Sequence, residues 1–139
     1  MGIIHADITI INSYDATAFR SGLIAEGDVK KIAVKALVDT GAWTLTINEE
    51  IAKQLDLKVV DQTAISLANG TTSTCDLVGP VEVRFENRVA ICSALVLPGA
   101  DEVLLGAIPL ESMDVVIDLS SHRLVVHPLR PHMAQMKVK

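Results

Sequence analysis

The chain has 139 residues, 50% of them hydrophobic and 21% charged, with a formal net charge of −5 and an isoelectric point near 5.2. That mixture favours one domain over residues 1–139 with a true core and argues against disorder. It excludes a membrane-spanning helix, because no apolar run approaches the ~18 residues needed, and it disfavours nucleic acid, which needs a basic footprint and, for single strands, more aromatics than 3%.

The first residues, Met-Gly-Ile-Ile-His-Ala-Asp, lack a basic region followed by an apolar stretch, so no secretory signal is expected. Gly2 is followed by Ala6 where a myristoylation motif has Ser or Thr. Ile3 to Ile11 reads as a strand, with Ile8 and Ile10 on one face and Asp7 and Thr9 on the other. Asn12 to Asp28 is polar and small, holds Gly22 and Gly27, and reads as a long loop or hairpin tip. Lys31 to Asp39 alternates again, with Ile32, Val34, Ala36 and Val38 facing inward and Lys30, Lys31 and Lys35 on a solvated face. It runs into Asp39-Thr40-Gly41-Ala42, and a short apolar run, Leu45 to Ile47, follows.

Asn48 suits an N-cap, Glu49 and Glu50 suit a first turn, and Ile51 and Leu55 lie one turn apart, which predicts a helix over 49–55 with a Glu49–Lys53 pair. Strand signals return at Thr63. Ala64 to Ala68 leads to Asn69-Gly70, a two-residue hairpin signal of the I′ type, and Thr71 to Thr74 suits an exposed arm. Gly79-Pro80 punctuates, and Val81, Val83 and Phe85 then alternate with Glu82, Arg84 and Glu86. Ile91 to Leu97 is a further strand, closed by Pro98-Gly99. Val103 to Gly106 is a buried apolar run, and Ala107 to Met113 forms a short helix with Pro109 in its first turn. Val115 to Asp118 and Arg123 to Val126 make a terminal hairpin around Leu119 to His122. From His127 the chain, with Pro128 and Pro131, has no periodicity and reads as a mobile tail. Many short strands with one or two short helices predict a small β-barrel-like domain.

Two cysteines, Cys75 and Cys92, make no disulfide framework and read as reduced thiols in a cytoplasmic protein. Cys92 reads as a small buried hydrophobe. His5, His122, His127 and His132 show no metal-ligand spacing with them, so neither metal nor other cofactor is expected. No Ser or Cys nucleophile motif is present.

Asp39-Thr40-Gly41 carries the chemistry. As a bland feature it is a turn after a strand. Its context is more specific. The strand Ala36-Leu37-Val38 delivers the Asp between apolar walls, where backbone N–H groups can keep one carboxylate ionised while a neighbouring one keeps its proton.

Three segments, in order and at fitting spacing, resemble the retropepsin-like aspartic proteases, specifically the small bacterial single-domain type. They are Leu37-Val38-Asp39-Thr40-Gly41-Ala42, Leu67-Ala68-Asn69-Gly70-Thr71-Thr72, and Leu104-Leu105-Gly106 followed by a short helix and Val116-Ile117-Asp118. The resemblance covers about residues 30–126 and implies a mostly β, small closed barrel of the acid-protease type. It implies catalytic Asp39, Thr40 and Gly41, with Thr40 linking two copies across a two-fold axis and Gly41 contacting substrate backbone. It implies a flap at Ala68, Asn69 and Gly70 and substrate contact at Ala42. Trp43 departs from the family's usual small or polar residue. It reads either as a core or rim residue or as a substrate-subsite wall close to Asp39. Residues 1–29 do not follow the viral pattern.

The chemistry needs two carboxylates about one bound water, one as base and one protonated. Asp-Thr-Gly occurs once here. The expectation is therefore an aspartic endopeptidase that acts as a homodimer on a peptide or protein substrate. The alternative is a silent peptide-binding or partner-binding homodimer of the same fold.

Overall fold

The computed structural model describes residues 2–138. Its strands are β1 (His5–Asn12), β2 (Lys31–Val38), β3 (Leu45–Ile47), β4 (Val59–Ser66), β5 (Thr72–Phe85), β6 (Arg88–Val96), β7 (Leu104–Leu105), β8 (Val115–Asp118) and β9 (Arg123–Val126). Its helices are α1 (Ser13–Arg20), α2 (Glu49–Gln54) and α3 (Ala107–Met113). The main sheet runs β1-β2-β7-β3-β6-β5-β4, and β1 also pairs with β5, closing a ring of six strands. β4 lies outside the ring as an arm on β5, and β8 and β9 form a separate two-stranded sheet. No helix among the described residues is long and apolar enough to cross a membrane.

The ring closes over one apolar core. Ile8 and Ile10 of β1, Ala36 of β2, Leu45 and Ile47 of β3, Val81 and Val83 of β5 and Leu105 of β7 all point into it. Each fully buried Ile or Leu there contributes about 2 kcal/mol by leaving water. Lys31 and Lys35 occupy the solvated face of β2, as the alternation requires, and Lys35 reaches Asp7 across the strand pair at 3.3 Å.

Four expectations need correction here. Residues 13–20 form a helix, not a loop. Asn12 caps it by accepting from the Asp15 amide at 3.1 Å, and Asn12 Nδ2 donates to Leu55 O at 2.8 Å. Glu82 points away from the core as expected but is only 1% exposed, because α1 covers it. Its carboxylate accepts from Arg20 Nη1 and Nη2 at 2.7 and 2.8 Å and from Arg84 at 3.3 Å. β5 runs unbroken through Gly79-Pro80, which forms a bulge between Val78 and Val81. There Gly79 takes φ +136°, and an added Cβ would lie 3.2 Å from Val81 N. The α2 helix forms with Asn48 as its cap, but Glu49 turns to the Gly99 amide at 3.4 Å and makes no ion pair with Lys53. Finally, the segment from His127 is pinned. Arg130 pairs with Asp114 at 2.6 Å, and Asn87 Nδ2 donates to Pro131 O at 2.9 Å.

Candidate active site

Asp39 leaves β2 at the point where that strand meets β7. The Leu37 amide donates to Val103 O at 2.8 Å and the Asp39 amide to Leu105 O at 3.0 Å, so parallel pairing holds the backbone of Asp39 itself. The chain then turns tightly. The Gly41 amide donates to Asp39 Oδ1 at 3.0 Å, and the Ala42 amide donates to Asp39 O at 3.1 Å. A Cβ at position 41 would lie 3.3 Å from the same Oδ1, so glycine suits the close approach of carboxylate and amide. One carboxylate oxygen is thus fixed by a backbone donor, and Asp39 remains partly open to solvent.

The loop is supported from behind by Leu104-Leu105-Gly106. β7 lies between β2 and β3, pairing Leu37 and Val38 on one side and Thr46 on the other. The first amides of α3 then hold the loop's carbonyls. Ala107 N donates to Ala42 O at 2.9 Å and Ile108 N to Trp43 O at 3.1 Å. Thr44 Oγ1 donates to Ser93 O at 3.0 Å and ties the outgoing chain to β6. Cys92 sits beside this contact, and burial pushes its thiol up, so it stays protonated at neutral pH.

A groove of about 480 Å³ opens beside the loop. Gly41, Ala42 and Trp43 form one wall and Thr63, Ile65 and Leu67 of the β4 arm the other. Leu95, Leu97 and Leu104 also line it, and none of its lining residues is charged. Trp43 is 52% exposed, so it is a groove wall and not part of the core. Ala68, Asn69 and Gly70 form the exposed tip of the β4–β5 hairpin and are not among the groove's lining residues.

That tip is not a two-residue I′ turn. The Gly70 amide donates to Leu67 O at 2.9 Å and the Leu67 amide to Thr71 O at 2.8 Å, so the loop holds three residues. Only Gly70 takes a positive φ, +85°, while Asn69 Oδ1 accepts from the Thr71 amide at 3.0 Å. This is the wider hairpin with a glycine bulge. On the far side of the loop, Thr40 is exposed and borders a second hollow of about 350 Å³ between α3 and β8.

Sequence reasoning located Asp39, Thr40, Gly41, Ala42 and Trp43 on one loop. It missed Thr63, Ile65 and Leu67 as the facing wall. Their signal is the alternation of Thr63-Ala64-Ile65-Ser66-Leu67, of which only Leu67 falls in the flap-like segment that the family resemblance singles out. Among the described residues, no group of three His, Cys, Asp or Glu could hold a metal ion.

The family model described as gag-polyprotein putative aspartyl protease matches residues 25–112, which span the Asp39 loop, the hairpin and β7 with most of α3. The chain belongs to the retropepsin-like aspartic protease family. The ring of strands, with its Asp-Thr-Gly loop seated on the apolar-apolar-Gly segment, is consistent with the retropepsin fold. The match ends at residue 112, before β8 and β9 and the pinned segment beyond them. No curated protein matches the chain.

Proposed function

We propose that this retropepsin-like chain is an aspartic endopeptidase that works as a homodimer. Two Asp39 carboxylates, one from each subunit, hold a water between them. The ionised one takes a proton from the water as it attacks the scissile carbonyl, while the protonated one polarises that carbonyl oxygen and hydrogen-bonds to it. The observation that carries the reading is the fixed geometry of Asp39: one oxygen accepts from the Gly41 amide, and the residues that follow it on the same loop, Gly41, Ala42 and Trp43, line a groove of about 480 Å³. With one Asp-Thr-Gly per chain, the second carboxylate must come from a second copy.

Thr40 has the roles the family implies. It is exposed on the side of the loop away from the groove, where a partner loop would meet it. Ala42 and Trp43 form the inner wall of the substrate groove, Gly41 offers backbone to the peptide, and Ala68, Asn69 and Gly70 cap the arm that covers it. Their distance from the groove in a single chain fits a tip that meets substrate, or the partner's tip, when the arm closes.

The decisive experiment is a cleavage screen with a diverse peptide library, run beside Asp39→Asn. Cleavage by the wild type and none by the variant supports the reading. No cleavage by the wild type, with binding of peptides or of a transition-state-mimicking inhibitor retained, would instead support the silent peptide-binding homodimer.

A further inference from the structure

Both ends of α3 are gripped, and the two grips belong to different parts of the chain. At its start, the Ala107 and Ile108 amides hold Ala42 O and Trp43 O at 2.9 and 3.1 Å. Those carbonyls directly follow Asp39-Thr40-Gly41. At its end, Asp114 adopts φ 55°, ψ 57°. A residue with a Cβ keeps that left-handed conformation only when its surroundings favour it. Here they do. Arg130 donates Nε to Asp114 Oδ2 at 2.6 Å and Nη2 to Oδ1 at 3.0 Å. The Gln135 amide adds a bond to Oδ2 at 3.0 Å, and the His127 amide donates to Asp114 O at 3.3 Å. The Arg130 guanidinium, helped by the Gln135 amide, holds this carboxyl well below the usual carboxylate range, so the grip is charged at neutral pH.

The segment that carries Arg130 is clamped in turn by the β5–β6 turn. Arg88 Nη2 donates to Arg130 O, and Asn87 Nδ2 donates to Pro131 O at 2.9 Å. Arg88 is 3% exposed, so its side of this contact is buried.

We propose that Arg130 is a positioning residue for the active-site loop. It fixes the end of α3 through Asp114, and α3, at seven residues only about 10 Å long, fixes the carbonyls of Ala42 and Trp43. The segment from His127 onward thereby sets the height at which the loop presents Asp39 and Trp43. The catalytic consequence rests on the protease reading above. The mechanical coupling does not.

The test uses the full chain with Arg130→Ala and Arg130→Lys, since Lys keeps the charge but not the two-pronged grip. Amide exchange at Ala107 and Ile108 is compared with exchange along β1, and emission from Trp43, the only tryptophan, reports the loop. Arg130→Ala is expected to speed exchange at Ala107 and Ile108 by about tenfold or more and to change Trp43 emission, with β1 unchanged. Arg130→Lys is expected to fall between it and wild type, and peptide hydrolysis to fall in the same order. Wild-type exchange and emission in Arg130→Ala would overturn the proposal. So would an equal loss of protection in β1, because the segment would then support the whole fold and not this loop. Should Arg130→Ala not fold, Arg130→Lys is held to the same two criteria. A wild-type chain that cleaves no peptide would sink the protease reading alone, because exchange and emission decide the coupling by themselves.

Discussion

Gly106 lies so close to Thr44 that a Cβ built on it would stand 2.4 Å from Thr44 O and 2.9 Å from Thr44 N. Ala42 O would be 2.7 Å away. All three obstacles are backbone atoms of the segment leaving the Asp39 loop, so no side-chain rotation relieves them. The φ of Gly106 is −95°, which any residue tolerates, so close approach is the reason for glycine here, not conformational freedom.

Gly106→Ala must therefore push the loop away from β7. Overpacking of this kind costs about 1–3 kcal/mol, and the backbone character of the clash favours the upper end. A fall in the thermal midpoint together with loss of peptide hydrolysis is expected. Calorimetry and a peptide assay check it. Wild-type stability in this variant would mean that β7 and the loop are not packed as described.

Asp39→Asn should leave the fold intact and remove hydrolysis by at least about a thousandfold, equivalent to ~4 kcal/mol of transition-state stabilisation. Asn is nearly isosteric and keeps an oxygen to accept from the Gly41 amide, so circular dichroism should not change. On the proposed two-carboxylate mechanism, the paired Asp39 side chains share one proton in the active species. Activity should then fall in acid, when both are protonated, and again as pH rises and the shared proton leaves, with a maximum on the acid side of neutrality. A profile of kcat/KM against pH that climbs steadily into the alkaline range would contradict proton sharing.

The pair Arg20–Glu82 makes a stability prediction outside the site. The Arg20 guanidinium, and after it Arg84, holds the Glu82 carboxyl below the ordinary range, against the opposing effect of burial. A carboxyl lowered in the folded state stabilises above its unfolded pKa, about 4.3, and that stabilisation is lost as pH falls. Arg20→Ala leaves Glu82 buried with only the longer Arg84 contact at 3.3 Å. Because Arg20 itself is half exposed, the loss of stability at neutral pH should be smaller than for a fully buried pair. The gap between the two proteins in urea should narrow below about pH 4. A gap that is independent of pH would mean that the pair contributes through packing alone.

The parts of this fold that were legible in the sequence are those encoded locally. Asp39-Thr40-Gly41 after an apolar strand is a turn whose donors and acceptors lie within three residues of each other, and the spacing of Ile8 and Ile10 in β1 and of Val81, Val83 and Phe85 in β5 marks the face that meets the core. The α1 helix escaped because it buries only Ser13 and Ala16, leaving little helical periodicity to read. It is held by Arg20 reaching Glu82, 62 positions away in sequence. The same contact explains why a correctly outward-facing Glu82 is nonetheless buried. At Asn69-Gly70 the dipeptide announced a turn, but its width was set by the Leu67–Thr71 pairing on either side. The pinned segment after His127 was unreadable for a similar reason. Its order comes from Asp114 and from Asn87 and Arg88 in the β5–β6 turn, none of them near it in sequence.

The last prediction concerns assembly. If each active site draws one Asp39 from each of two copies, an inactive subunit should poison its partner. Wild type and Asp39→Asn are mixed, allowed to exchange subunits, and assayed at fixed total concentration. Random pairing in an equal mixture leaves about one quarter of the pairs with two Asp39 carboxylates, so activity should fall to about one quarter of the unmixed wild type. Independent active monomers would give one half instead, and the two curves separate across the whole range of mixing ratios. Dilution supplies a second test of the same idea. Specific activity should drop where sedimentation shows dimer giving way to monomer. A half-maximal mixture, or a dilute monomer with undiminished specific activity, would mean that one Asp39 suffices and that the two-carboxylate mechanism is wrong for this chain.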